Sequence, residues 1–338
     1  MKRFFKILRL IAVNFIVFIF LCLLLEIGFR TMCYFKGQGF FRRSNFVSPW
    51  ITTYDIPPPI EIDTTHGFFR HRLYPVSKKK VPGTYRIIAV GGSTTANERA
   101  WAAGHVDYTS LTEELLNAEK NNPIHYEVLN AGADAYSTAH SLVNIAFRLI
   151  EYEPDMIILM HNINDSSVIG FGNGPTPDYS NKYLLPIYLN PELQSGLSFE
   201  GFLYQSRLLC YLGVPQMRVE KSRVIKFDNP PEAGLAFFRR NLRSIASVCN
   251  GHGIRLLLLT QPHQNQEHKY VKLHVIKQYN QAILQEADQM GVPCLDMNLE
   301  FGNNAEFFCD MFHYSPDGTK RFARILEPVI WKITANIK

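Results

Sequence analysis

These 338 residues lack a long charged block, a paired cysteine motif and any internal repeat. Only 19% of the residues are charged against 46% hydrophobic, which excludes a disordered, solvating chain. Glycine follows no Gly-X-Y period, so a collagen-like repeat is excluded. One apolar run stands out rather than several, which excludes a multi-span membrane protein. None of the six cysteines (Cys22, Cys33, Cys210, Cys249, Cys294, Cys309) forms a Cys-x-x-Cys pair, and no cysteine–histidine spacing suits zinc. A chain this long folds without disulfides, so free thiols are expected and neither metal nor cofactor is called for. The net charge of +5 is confined: residues 1–43 hold eight basic groups and one acid, Glu26, while the rest is close to neutral. No nucleic-acid partner is therefore expected, and the basic groups flanking an apolar stretch point to a membrane surface.

That stretch runs uncharged from Leu10 to Leu25 and continues to Phe29 with only Glu26 inside. About 20 residues at 1.5 Å each cross a bilayer core. Arg9 and Arg30 flank the run and can snorkel to the two interfaces. A cleaved signal would need small residues at its exit, where Glu-Ile-Gly-Phe-Arg stands instead. A lipoprotein reading would use Cys22, but Leu21 before it is not small. A single-pass anchor over residues 1–30 fits best, with the basic tail inside and the globular part extracytoplasmic, periplasmic or on the cell surface. Residues 31–84, with Pro57-Pro58-Pro59 and Lys78-Lys79-Lys80, read as an ordered stalk, the lysines as a solvated turn.

From residue 85 to the end the pattern becomes βαβα. Strands are expected at 86–92, 126–129, 156–160, 254–260 and 292–295, with helices at 108–120, 138–151, 232–250, 269–290 and from Pro316 to about 335. This alternation predicts a parallel sheet covered on both faces, with ligands bound beyond the carboxyl ends of the strands. Between 166 and 231 the alternation stops, and the segment reads as an insertion or lid on the ligand side.

Each strand end carries a candidate. Gly91-Gly92-Ser93-Thr94-Thr95 follows the first strand, and a tight turn there would lift Ser93 to the sheet edge with its own N–H free. No Gly-Lys-Ser/Thr and no Gly-x-Gly-x-x-Gly follows, so a phosphate loop and a dinucleotide fingerprint fail. Asn130-Ala131-Gly132 ends the second strand, where a glycine lets a backbone N–H approach a ligand. His161-Asn162-Ile163-Asn164-Asp165 ends the third; an asparagine amide can donate to an oxyanion, and His161 is left as a supporting or core residue. His263 follows the fourth as a candidate substrate contact. After the fifth, Asp310 precedes His313 by three residues, so the carboxylate can hold Nδ1–H while the other nitrogen acts as a base. Taken singly, each has a bland reading as a turn, a cap or a surface pair. Together they supply nucleophile, base, orienter and oxyanion donors in chain order.

That order resembles the SGNH (GDSL-like) hydrolase superfamily over about residues 86–335, including the closing HYSPDGTKRFA. The resemblance implies a three-layer α/β/α sandwich around a five-stranded parallel sheet. It implies Ser93 as nucleophile, His313 as general base, Asp310 as its orienter, and Ser93 N–H, Gly132 N–H and the Asn164 side chain as the oxyanion hole. Two departures stand out. Gly92 replaces the family's aspartate, and Asn162 replaces a glycine where it would reshape the pocket and contact substrate. The GGSTT block with an N-terminal anchor looks like membrane-anchored bacterial members. The expected function is a metal-free serine esterase or deacylase acting on an O-acylated envelope glycan. The alternatives are a lipase or acyltransferase on membrane lipid, favoured if the aromatics of the insertion (Phe171, Tyr179, Tyr183, Tyr188, Phe202, Tyr204) pack acyl chains, and a binding module with a decayed site.

Overall fold

The computed structural model describes residues 2–36, 62–63, 68–69, 76–97, 107–118, 124–170, 174–179, 206–212, 231–267 and 271–335. Most of the expected stalk and insertion, including Phe171, Tyr183, Tyr188, Phe202 and Tyr204, lies outside them. The chain divides into two compact units, Met1–Val47 with Tyr183–Val224 and Ser48–Lys182 with Ile225–Lys338.

In the first unit, α1 (Lys2–Phe35) is a single 34-residue helix whose apolar side chains are exposed nearly all round. It is long and apolar enough to cross a membrane.

The second unit opens with a two-residue antiparallel pair, β1 (Ile62–Asp63) with β2 (Phe68–Phe69). The main sheet holds β3 (Thr84–Gly91), β4 (His125–Asn130), β5 (Met156–Met160), β6 (Arg255–Leu259) and β7 (Cys294–Leu295), all parallel, in the order β4-β3-β5-β6-β7. These are the five expected strands. Their near-continuous Val, Ile, Leu and Met runs are buried because helices cover both faces. Side chains alternate between the two layers. Ile88, Val90, Ile157, Leu159 and Leu258 face α4 (Thr138–Phe147), α7 (Glu232–Gly251) and α8 (Leu273–Met290). Ile87, Ala89, Ile158, Met160 and Leu257 face α3 (Tyr108–Asn117) and α10 (Pro316–Thr334). The architecture is the expected three-layer α/β/α sandwich.

Three short helices were not legible as periods: α2 (Ser93–Ala96), α5 (Ile163–Val168) and α9 (Met297–Phe301). In the first unit α6 (Arg207–Tyr211) is equally short. The helix expected over 138–151 stops at Phe147, because Arg148 leaves helical geometry and the chain tightens into a 3₁₀ turn at Leu149–Tyr152. In the lysine run Lys78 and Lys79 are exposed as expected, while Lys80 Nζ pairs with Asp155 at 2.5 Å.

Register fixes where chemistry can occur. Gly91 pairs with Met160, Met160 with Leu259, and Leu259 with Leu295. The strands therefore end in line, and the residues that follow them share one edge. From β3 the next strand in sequence lies on one side and β5 on the other. That reversal opens a crevice at the carboxyl end of β3, where open parallel sheets bind ligands.

Candidate active site

Ser93 opens α2, directly after β3. Among the described residues its backbone N–H has no intramolecular acceptor, because the first bonds of this turn come from Thr95 and Ala96 N–H to Gly92 O at 3.0 Å. Asn97 ends the turn in the left-handed region at φ 54°, and its Nδ2 donates to Thr319 Oγ1 of α10 at 3.2 Å. Asn130 Nδ2 donates to Thr95 O at 2.8 Å, tying the turn to the end of β4.

The Asp310–His313 loop is closed by a bridge between Phe308 and Tyr314 and by Cys309 N–H donating to His313 O at 2.7 Å. Asp310 Oδ1 accepts the backbone N–H of Phe312 at 3.1 Å and of His313 at 2.9 Å. His313 Nδ1 lies 3.0 Å and 2.8 Å from the two Asp310 oxygens, and Nε2 lies 2.9 Å from Ser93 Oγ. The three residues expected to act together are thus in one hydrogen-bonded line. Burial by itself would raise the Asp310 carboxyl. The His313 ring and the two backbone N–H groups outweigh it and hold Asp310 well below the usual carboxylate range. Gln264, which sequence reasoning missed, braces this loop through its N–H to Met311 O at 2.8 Å and its Nε2 to Asp310 O at 3.2 Å. Its only signal was its place after β6.

Asn164 sits in the first turn of α5, and its Nδ2 donates to Tyr136 O at 2.9 Å. The amide borders the Ser93 turn, since a Cβ built on Gly92 would stand 2.6 Å from Asn164 Nδ2 and 3.1 Å from Tyr136 O. Substituting Gly92→Ala is therefore expected to displace the Asn164 amide. Turnover should fall by about 10- to 100-fold, the scale of a weakened oxyanion donor, with KM and the circular-dichroism spectrum little changed. Steady-state kinetics of the purified variant check this.

Gly132 differs from its expected role. Its N–H donates to Asn130 Oδ1 at 3.0 Å, so the group is taken up within its own turn. Its missing side chain is required for packing, because a Cβ there would stand 2.7 Å from the Thr95 carbonyl carbon. In the same turn neither Asp134 nor Ala135 N–H has an acceptor among the described residues. Ala135 holds φ 58°, a conformation costing a non-glycine residue about 1–2 kcal/mol.

Asn162 and His263 also differ from the expectation of substrate contact. Asn162 is buried and its Nδ2 donates to Ile276 O and Asn280 Oδ1, both at 2.8 Å. Asn280 in turn donates to Gln261 O at 3.0 Å and accepts Gln261 N–H at the same distance. Asn162 thus ties α8 to the loops after β5 and β6, and its Nδ2 is taken up by these two bonds. His263 is buried, with Nδ1 3.0 Å from Gln264 O.

His161 belongs to a buried polar layer beneath the site. Its Nε2 lies 2.7 Å from Ser141 Oγ. Asp165 accepts the Thr138 N–H at 3.1 Å and also its hydroxyl, and Asn241 Nδ2 donates to that hydroxyl at 3.0 Å. Asn164 and Asp165 together therefore grip residues 136–138. Burial first, and nearby His140 second, push the His161 imidazole down to about 3. Asp165 does not reverse this, because its 3.8 Å separation from Nδ1 exceeds hydrogen-bond range. The unfolded imidazole takes up a proton below about pH 6.5 while the folded one refuses it until about pH 3. Stability from this group is complete above pH 6.5 and drains as pH falls toward 3. A loss of about 2 kcal/mol between pH 6.5 and 5 is expected from it. Urea midpoints of the detergent-solubilised chain should show this slope, and His161→Gln should flatten it.

Among the described residues no group of three or more His, Cys, Asp or Glu side chains could hold a metal ion.

Comparison with known proteins gives the context. The profile of the GDSL-like lipase/acylhydrolase family matches residues 89–321, more than half of the chain. No curated protein is matched by sequence. Among solved structures, a lipase/acylhydrolase from Enterococcus faecalis is similar at 14% identity and TM-score 0.45, covering 74% of this chain and 95% of that one. A catalytic mutant of an acetylxylan esterase from Geobacillus stearothermophilus is similar at 16% identity and TM-score 0.46, covering 75% and 96%. The family match covers the end of β3, Ser93, Asn164 and the Asp310–His313 loop, and the chain belongs to the GDSL-like lipase/acylhydrolase family of hydrolases acting on esters.

Proposed function

We propose that this protein is a serine esterase that removes ester-linked acyl groups from an envelope glycan. The observation that carries the reading is the line from Asp310 through His313 to Ser93 Oγ, at 2.8 Å and 2.9 Å. Ser93 Oγ attacks the acyl carbonyl carbon and its proton passes to His313 Nε2. Asp310 accepts Nδ1–H, which fixes the tautomer and stabilises the imidazolium. The tetrahedral oxyanion takes hydrogen bonds from Ser93 N–H and Asn164 Nδ2. Collapse breaks the ester C–O bond, His313 returns the proton to the leaving alcohol, and water releases the acyl group by the same steps in reverse. None of these steps asks for a metal.

The membrane part of the proposal rests on α1. The tail before the apolar run carries Lys2, Arg3, Lys6 and Arg9, so a spanning α1 keeps its start in the cytoplasm and carries the globular unit to the outer side. There the ester substrates are acylated glycans and lipid headgroup-side esters. The test uses the full chain in detergent, a fluorophosphonate probe, and a panel of p-nitrophenyl esters, acetylated oligosaccharide and diacyl phospholipid. Labelling with preference for acetyl over long chains and release of acetate from the oligosaccharide are expected. Preference for long chains and phospholipid would replace the glycan by lipid. A folded protein that neither labels nor turns over would overturn the serine mechanism.

A further inference from the structure

We propose that residues 206–212 dock into the lipid interface beside α1, locked there by Glu26, so that the first unit holds the bilayer at two elements rather than one. This rests on the reading of α1 as a membrane span.

Glu26 is the only acidic residue of α1. At 1.5 Å per residue it stands about 24 Å along the helix from Leu10 and about 6 Å short of Arg30. With Arg9 and Arg30 at the two surfaces of a core about 30 Å thick, its carboxyl lies just inside the far boundary. An acid at that depth needs partners, since an unsatisfied one is costly in hydrocarbon. The partners are present. Oε1 accepts Arg30 Nε and the Arg207 backbone N–H, both at 2.7 Å. Oε2 accepts Ser206 Oγ at 2.6 Å and the Leu208 N–H at 3.1 Å. Three of the four donors thus come from 206–208, so satisfying the carboxyl brings this segment to the same depth.

What the segment presents there suits lipid. Ser206 Oγ accepts the Leu209 N–H at 3.1 Å and starts α6, so the first backbone donors of the turn are covered. The Tyr211 ring packs on Phe29 at 5.1 Å. Tyr211 remains 76% exposed and Leu212 56% exposed, continuing the exposed apolar surface of α1. A tyrosine one turn from a span's end occupies the headgroup boundary, with its ring on the apolar side and its hydroxyl in water. The occupant of this surface is therefore the bilayer that already surrounds α1.

The test reconstitutes the full chain in vesicles of phosphatidylethanolamine and phosphatidylglycerol whose acyl chains carry bromine at shallow or deep carbons. Tryptophan emission is compared with the parent, whose own tryptophans set the baseline. Phe15→Trp reports the span and should be quenched most by deep bromines. Tyr211→Trp should add emission that shallow bromines quench best. Combining it with Glu26→Gln or Glu26→Ala should cut that added quenching by about two-fold or more. Quenching at position 15 without any at 211 would overturn the docking proposal while leaving the span intact. Absence of quenching at both would overturn the span and the docking with it. Quenching at 211 that survives loss of Glu26 would remove the lock. Shielding at 211 that appears only at high protein-to-lipid ratio would assign the face to a second copy of the chain and overturn lipid as its partner.

Discussion

Ser93→Ala should abolish fluorophosphonate labelling and lower kcat for ester hydrolysis by about 10⁴-fold or more, with KM nearly unchanged. The reasoning is geometric. Ser93 Oγ has His313 Nε2 at 2.9 Å, and no step of acyl transfer can begin without an oxygen at that point. The substitution removes one half-buried atom from the start of a four-residue turn and leaves its backbone bonds and its ties to Asn130 and Thr319 in place, so stability should hold. Residual turnover would measure what Ser93 N–H and Asn164 still give by binding the oxyanion. Intact-mass spectrometry after probe treatment, beside initial rates on p-nitrophenyl acetate, checks both parts. Unchanged rates in the variant would move the nucleophile elsewhere.

Asp310→Asn should cost about 10²- to 10⁴-fold in kcat while leaving the fold in place. An amide at this position can still receive the Phe312 and His313 N–H groups, so the loop keeps its shape. It can also present N–H to His313 Nδ1, which selects the tautomer with its proton on the nitrogen facing Ser93. That imidazole cannot act as a base. The wild-type carboxyl, held well below the ordinary carboxylate range, stays ionised wherever the enzyme works. Loss of the Asp310 charge therefore sets no limb of the pH–rate profile near neutral pH. The linkage has the opposite sense to a raised group. Asp310 contributes stability that is complete above the unfolded carboxylate value and is lost as pH falls from there toward the folded one. Rate profiles and denaturation midpoints of the two proteins, taken from acid to neutral pH, test both statements.

Much of this was legible in the sequence because the signals are local. Each strand is a short, largely apolar run closed by glycine or by a polar residue (Gly91-Gly92, Asn130, His161, Thr260, Asp296), and a fully covered parallel strand needs no more than that. Ser93 and His313 stand 220 positions apart, yet both follow strands of one parallel sheet, so topology alone predicts that they share an edge. What was not legible depends on partners far away or on which atom wins a hydrogen bond. Nothing near Asn162 announces that Asn280 will take its amide. Gly132 lies where a donor is wanted, but the side chain of Asn130, two residues back, captures its N–H. Gln264 carries no motif, and its role exists only because the loop after β6 meets the Asp310 loop. Helices α2, α5 and α9 are too short to show a period.

The space beside Gly92 carries a consequence for redesign of the turn. In this chain the volume that a side chain at 92 would fill is occupied by the bond between the Asn164 amide and Tyr136 O. The obstacle is the end of a side chain, so a residue placed there re-aims the Asn164 amide and leaves the backbone of the turn in place. Position 92 is therefore a handle on the direction of that donor, separable from the placing of Ser93 and His313.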